Sequence, residues 1–176
     1  VKVVLLEVLA EKGSPDFFPV LMGNARGENQ EIRMAAIKGL KGVATGDHLN
    51  TLLIFLREDH DVSSIAEIKQ AVIASVNSSE NKVRAEEVVL SSMQKAENKS
   101  IYIPVLAGIG GDRSLNSVKD LYYNSTGEAK ERALGSLISW SDAAAIPVLF
   151  DICKNTGSQP AFSAYVRQVG RSDFPG

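Results

Sequence analysis

Apolar residues mark the chain in short stripes of helical period. Leu49, Leu52, Leu53 and Leu56 stand at i, i+3, i+4 and i+7, which is one face of a helix. The spacing recurs 97 residues later as Ile146, Leu149, Phe150 and Cys153, and 31 residues earlier as Phe18, Leu21, Met22 and Ala25. Leu115, Val118 and Tyr122 give a further copy, in which Lys119 is the one polar member. A second set of stripes lies between these. It runs through Ile32, Ala36, Leu40 and Val43, and again through Ala129, Ala133, Leu137 and Trp140. Val1, Leu5 and Leu9 precede it; Ile101, Val105 and Gly108, beside Ile109, and then Ala161, Tyr165 and Val169 continue it. Two independent stripes that share the same offsets predict a two-helix unit of about 32 residues copied in tandem.

Acidic residues punctuate the units. Asp16, Asp47, Asp112, Asp142 and Asp173 stand at the junctions, and Ser79-Glu80 fills the one gap. A carboxylate there is expected to accept an unpaired N–H at the start of the following helix and to oppose the positive end of its dipole. Ser79 takes the capping role where Asp is missing. Pro19 falls in a first turn, where a lost N–H costs little, whereas Pro147 lies deeper and predicts a distorted first turn. The units are a leading helix at 1–15, then 16–46, 47–79, 80–111, 112–141 and 142–172. The third is loosest: Val89, Leu90 and Met93 fit the first-helix stripe only after a shift, which implies a longer helix or a longer loop near Ser78–Lys82.

With 176 residues, 44% of them hydrophobic and 23% charged, the composition is that of a folded globular chain. A net charge of -2 offers no general field for polyanions, and no apolar stretch is long enough to insert in a membrane. The single cysteine leaves the fold independent of internal disulfides and the redox compartment open. An apolar pattern already under way at Val1, with "GRSDFPG" at the other end, reads as a fragment of a longer chain.

The stretch "EIRMAAIKGL" fits a Val/Ile-Arg-x-x-Ala-x-x-x-Leu pattern through Ile32, Arg33, Ala36 and Leu40, and Ala129, Lys130, Ala133 and Leu137 repeat it more weakly. Asp142, Ala143, Ala145, Ile146, Pro147 and Leu149 carry the matching first-helix pattern. In these features the chain resembles HEAT repeats. More narrowly, "AGIGGDRSLNSVKDL" with "ALGSLISWSDAAAIPVLFDICKN" is similar to a bacterial HEAT group often found beside domains of the 3-keto-disaccharide hydrolase type in exported proteins. The resemblance implies an all-α fold, a right-handed α-α superhelix of about five helix pairs with the second helices lining the concave face.

Candidate chemistry is sparse. Asp47-His48 has the composition of an acid–base or metal pair, but the reading is a cap followed by an exposed first-turn residue. "REDHD", Arg57 to Asp61, gathers possible metal ligands in consecutive positions, where side chains seldom converge, and reads as a solvated turn. "GIGGD", Gly108 to Asp112, lacks the strand and the Gly-Lys-Ser/Thr of a phosphate loop and reads as a helix end. Cys153 and Trp140, placed against their repeat equivalents, are expected in the core. No catalytic residue, metal ligand or cofactor is expected.

Opposite the buried stripe, helical geometry selects Glu31, Met34, Lys38 and Lys41, then Glu67 and Ala71, then Lys99 and Ile103, then Glu128, Glu131 and Ile138, and lastly Arg167. This face is mixed in sign and lacks the basic, aromatic character of nucleic-acid readers. It predicts a non-catalytic scaffold that binds a protein partner, or an adjacent domain of the same polypeptide, in place of nucleic acid. That neighbour is a carbohydrate-active domain if the narrower resemblance holds. The alternatives are a HEAT-like enzyme such as a DNA glycosylase, which would need an Arg- and Lys-rich cleft, and a purely structural spacer.

Overall fold

The computed structural model describes residues 1–171, and the junction acid Asp173 lies outside them. The described residues form eleven α-helices and four short 3-10 turns, with no strand, so the protein is all-α. The chain divides into two compact units, the first spanning Val1–Glu97 and the second starting at Asn98. That boundary falls inside the unit expected at 80–111, the one whose stripe fitted least well.

The first unit holds α1 (Lys2–Lys12), α2 (Phe18–Ala25), α3 (Gln30–Val43), α4 (Leu49–Glu58), α5 (Val62–Asn77) and α6 (Lys82–Lys95). Here α3 is the hub, packed on α1, α2 and α5, while α6 leans on α4 and α5. The expected stripes account for most of its core: Phe18, Leu21, Met22 and Ala25 are buried, as are Ala36, Leu40 and Val43, and Leu49, Leu52, Leu53 and Leu56. Each such leucine removed from water contributes roughly 2 kcal/mol. Close approach of α1 to α3 depends on missing side chains. A Cβ at Gly42 would stand 2.8 Å from the Ala10 carbonyl oxygen, and one at Gly39 would stand 3.0 Å from the Ala10 Cβ.

The second unit holds α7 (Ile103–Ile109), α8 (Asp112–Asn124), α9 (Gly127–Ile138), α10 (Ile146–Thr156) and α11 (Gln159–Val169). Its hub is α9, in contact with α7, α8, α10 and α11. Leu115, Val118, Tyr122, Ala133, Leu137, Trp140, Ile146 and Leu149 are buried as their stripes require.

Three expectations need correction. Phe150 is 47% exposed, because the face of α10 that turns inward runs through Ile146, Val148, Leu149 and Ile152 in place of Phe150 and Cys153. In α1 the inward residue is Leu6, while Val1 and Leu5 are exposed; this helix packs chiefly on α3 and hides one narrow strip. Ala129, in the first turn of α9, is exposed as well.

The junction acids also behave differently from one another. A 3-10 turn precedes α2, α4, α7 and α10. Before α2 and α4 it moves the N-cap upstream to Ser14 and Thr45, so Asp16 and Asp47 fall inside the first turn and face its dipole without capping it. Asp112 follows its cap, Gly111. Ser79 donates to the Ser75 carbonyl at 2.8 Å, and Asn81 caps α6 in its place. Only Asp142 caps as expected, accepting from the Ala144 N–H at 2.8 Å. Pro147 does not lie deeper than Pro19, since each is the second residue of its helix, and the 3-10 turn Ala143–Ala145 has a counterpart before α4, where there is no proline.

Asp142 has a second role. Its other carboxylate oxygen accepts the Gly111 N–H at 3.1 Å, and the Ser141 N–H reaches the Ala107 carbonyl at 3.1 Å. The α7–α8 turn and the start of α10 are thereby joined. Gly110 ends α7 with φ +73°, and a Cβ there would meet Asp142 Oδ2 at 2.3 Å. Gly110→Ala is therefore expected to destabilise by about 2 kcal/mol or more, and Asp142→Ala by about 1–2 kcal/mol, in urea unfolding. Because both act on one contact, the double variant should lose less than the two separate losses combined.

Candidate functional site

The most structured polar cluster lies where α3 begins and α4 gives way to α5. Asp59, in the turn read as solvated, is 8% exposed. Its carboxylate takes a short charge-assisted bond from Arg33 Nη2 and accepts the Asp61 N–H at 2.9 Å. Asp61 in turn accepts from the N–H groups of Ser63 and Ser64 at 2.8 and 3.2 Å, capping α5, while Arg33 Nη1 lies 3.9 Å from its other oxygen. Arg33 is the arginine of the helical pattern, so its position was legible in the sequence and its partner was not. The expectation of a solvated turn holds for Arg57, Glu58 and His60, which are exposed, and fails at Asp59: chain direction at Asp59 and Asp61 points both carboxylates at one guanidinium.

A cleft of about 390 Å³ opens beside this cluster, lined in part by Arg26, Glu58 and His60. Arg26 lies 3.6 Å from Glu58 and 5.9 Å from the centre of the Phe55 ring. Arg33 with Asp59, and Arg26 with Glu58, thus neutralise each other, which makes the cluster a clamp between helix pairs. Among the described residues, no three His, Cys, Asp or Glu side chains are grouped to hold a metal ion.

Asp47 and His48 do not converge on a site either. Asp47 is exposed, and His48 is half-buried, its ring stacked on Phe18 with centroids 3.8 Å apart. The Thr45 N–H donates to His48 Nδ1 at 3.1 Å, so the neutral ring closes the turn that leads into α4. Burial lowers the His48 pKa below 6.5, and nearby Asp47 offsets this in part. Cys153 is half-buried, not fully enclosed as expected, and Trp140 is in the core.

The positions selected for partner binding divide between the two units. In the first, Glu31, Lys38 and Lys41 are exposed on α3, and Met34 is half-buried beside them; Glu67 is half-buried on α5, which packs against α3. Ala71 is buried and leaves the face. In the second, Lys99 lies in the 3-10 turn before α7, exposed, while Ile103 is buried. Glu128 and Glu131 are exposed on α9, with Glu128 bonded to Arg132 one turn on. Arg167 is exposed on α11, and its Nη2 donates to the Ile138 carbonyl at 2.7 Å, satisfying the end of α9.

Sequence periodicity missed the exposed aromatics of the second unit. Phe150 leans on Tyr165 at 5.5 Å, and Tyr123 meets Tyr122 edge-on at 5.1 Å. The Tyr123 phenol has its pKa raised, first by burial and then by Asp151 and Tyr122.

The chain matches no family model, and it matches neither a curated protein nor a solved structure.

Two outcomes follow from these clusters. Arg33→Met leaves Asp59 buried without its cation and should cost about 3 kcal/mol, whereas Arg33→Met with Asp59→Leu should cost clearly less than the single change; a double-mutant cycle in urea reads the difference. Because folding lowers the His48 pKa, its contribution is present above about pH 6.5 and is lost as pH falls through that value towards the folded pKa. Melting temperature should therefore drop between pH 7.5 and 5.5, and His48→Gln should flatten that drop.

Proposed function

We propose that the chain is a HEAT-like array of five helix pairs with a leading helix. In this reading the pairs follow the right-handed superhelical arrangement that the sequence resemblance implies, and the array has no catalysis of its own. It binds a protein partner, or an adjoining domain of the same polypeptide, through the exposed positions of its second helices.

One observation carries the reading. Helix α3 is packed on α1, α2 and α5, yet it keeps Glu31, Lys38 and Lys41 exposed on one side. None of the three is held in an ion pair among the described residues. A helix so fully used for packing that still presents unpaired charges of both signs has a surface free to choose partners by charge complementarity. Support also comes from the way the remaining clusters are used: Arg33 with Asp59, His48 stacked on Phe18, and Asp142 with Gly111 all tie one helix pair to another part of its own unit.

The test is a charge reversal, Glu31→Lys with Lys38→Glu and Lys41→Glu. Once a partner has been captured and identified, titration calorimetry should show at least tenfold weaker binding by the reversed protein, with an unchanged helical circular dichroism spectrum. Equal affinity of the two proteins would move the interaction off this face.

A further inference from the structure

A second surface, on helices that the proposed partner face does not use, carries a more specific inference. Helices α4 and α6 pack side by side and enclose a groove of about 550 Å³. Its floor is apolar: Leu53 and Val88 line it, and Ile54 stands 42% exposed beside them. Its rim is cationic. Arg57 reaches it from α4, and Arg84 and Lys95 from α6, with Glu87 the one acidic lining residue.

All three cations are exposed, and among the described residues none makes an ion pair or a side-chain hydrogen bond. Lys38 and Lys41 on α3 are unpaired too, but most arginines elsewhere in the chain are not. Arg26, Arg33, Arg132 and Arg167 each find an acceptor, and the chain as a whole carries a net charge of -2. Three cations around an exposed isoleucine are thus a local concentration that overall charge does not explain.

The spacing defines what fits. Arg84, Val88, Ser91 and Lys95 follow one face of α6 at i, i+4, i+7 and i+11. Eleven residues at the helical rise set Arg84 and Lys95 about 16 Å apart along the axis. An extended segment covers that distance in about five residues. We propose that the α4–α6 groove binds an acidic peptide segment, with carboxylates near each end engaged by Arg84 and Lys95 and an apolar side chain between them seated over Leu53, Ile54 and Val88. Arg57 engages the segment from the opposite wall.

The same cations could in principle attract a nucleic acid, but the lining argues for peptide. It contains no aromatic ring on which a base could stack, and its centre is aliphatic. The inference stands independently of the partner face on α3 and α5.

The experiment uses the full chain and a fluorescein-labelled heptapeptide of sequence Asp-Glu-Leu-Ala-Leu-Glu-Asp, read by fluorescence anisotropy at low salt. Saturable binding is expected, weakened at least tenfold by Arg57→Glu with Arg84→Glu, and similarly by Ile54→Glu. Replacing the peptide's acids by Asn and Gln should abolish it, and Lys38→Glu with Lys41→Glu should leave it unchanged, which separates this groove from the α3 face. Circular dichroism on each variant verifies that the fold survives, and Lys95→Glu serves in place of any variant that does not fold. Absence of saturable binding, indifference to the rim reversals, or tighter binding of an oligothymidylate of equal charge would each overturn the proposal.

Discussion

Every helix among the described residues is short enough to depend on its neighbours. Among them the range runs from seven residues in α7 to sixteen in α5, below or close to the length under which isolated helices are marginal in water. Structure therefore exists only where each helix finds neighbours for its apolar strip, and those neighbours are the adjoining helix of the chain and, for α3, helices about thirty residues away. α3 illustrates the constraint: Ala36, Ile37, Leu40 and Val43 are removed from water only because α1, α2 and α5 cover it from three sides. Gly39 and Gly42 let α1 come close enough to do so.

Polar contacts then fix what apolar burial leaves adjustable. An aliphatic interface tolerates sliding, but a guanidinium against a buried carboxylate does not. Arg33 and Asp59 hold the start of α3 to the α4–α5 turn, and Ser75 Oγ donates to the Thr45 carbonyl at 2.6 Å, tying α5 to the turn before α4. These bonds bridge 26 and 30 residues respectively, close to one expected unit, so the spacing of the apolar stripes and the spacing of the polar ties agree.

Helical class and most core positions were legible because a period near 3.6 is a direct geometric record of one buried face. Leu52, Leu53 and Leu56 are inside because their helix carries one unambiguous stripe. The record blurs where two apolar stripes overlap, as in α10, where Val148 and Ile152 compete with Phe150 and Cys153 beside Ile146 and Leu149, and Phe150 was misplaced for that reason. It blurs again where a helix has few neighbours, as in α1. Capping was legible in position at Asp142, but only in residue type at Asp16 and Asp47, where the cap lies two residues upstream at Ser14 and Thr45. The Arg33–Asp59 clamp and the cationic rim of the α4–α6 groove were out of reach altogether. Both arise from residues on different helices, and nothing in a single helix's periodicity states which other helix will face it.

The Asp142 carboxylate has a consequence for how the second unit can be divided. One side chain terminates the polar requirements of two turns, at Gly111, 31 residues before it, and at Ala144. A shortened protein ending just before residue 142 would retain α7, α8 and α9 complete by helix count, yet would strand the amide of Gly111 without its acceptor. The natural seam for dissection thus lies beyond the start of α10, and the boundaries of helical hairpins are not the boundaries of autonomous pieces.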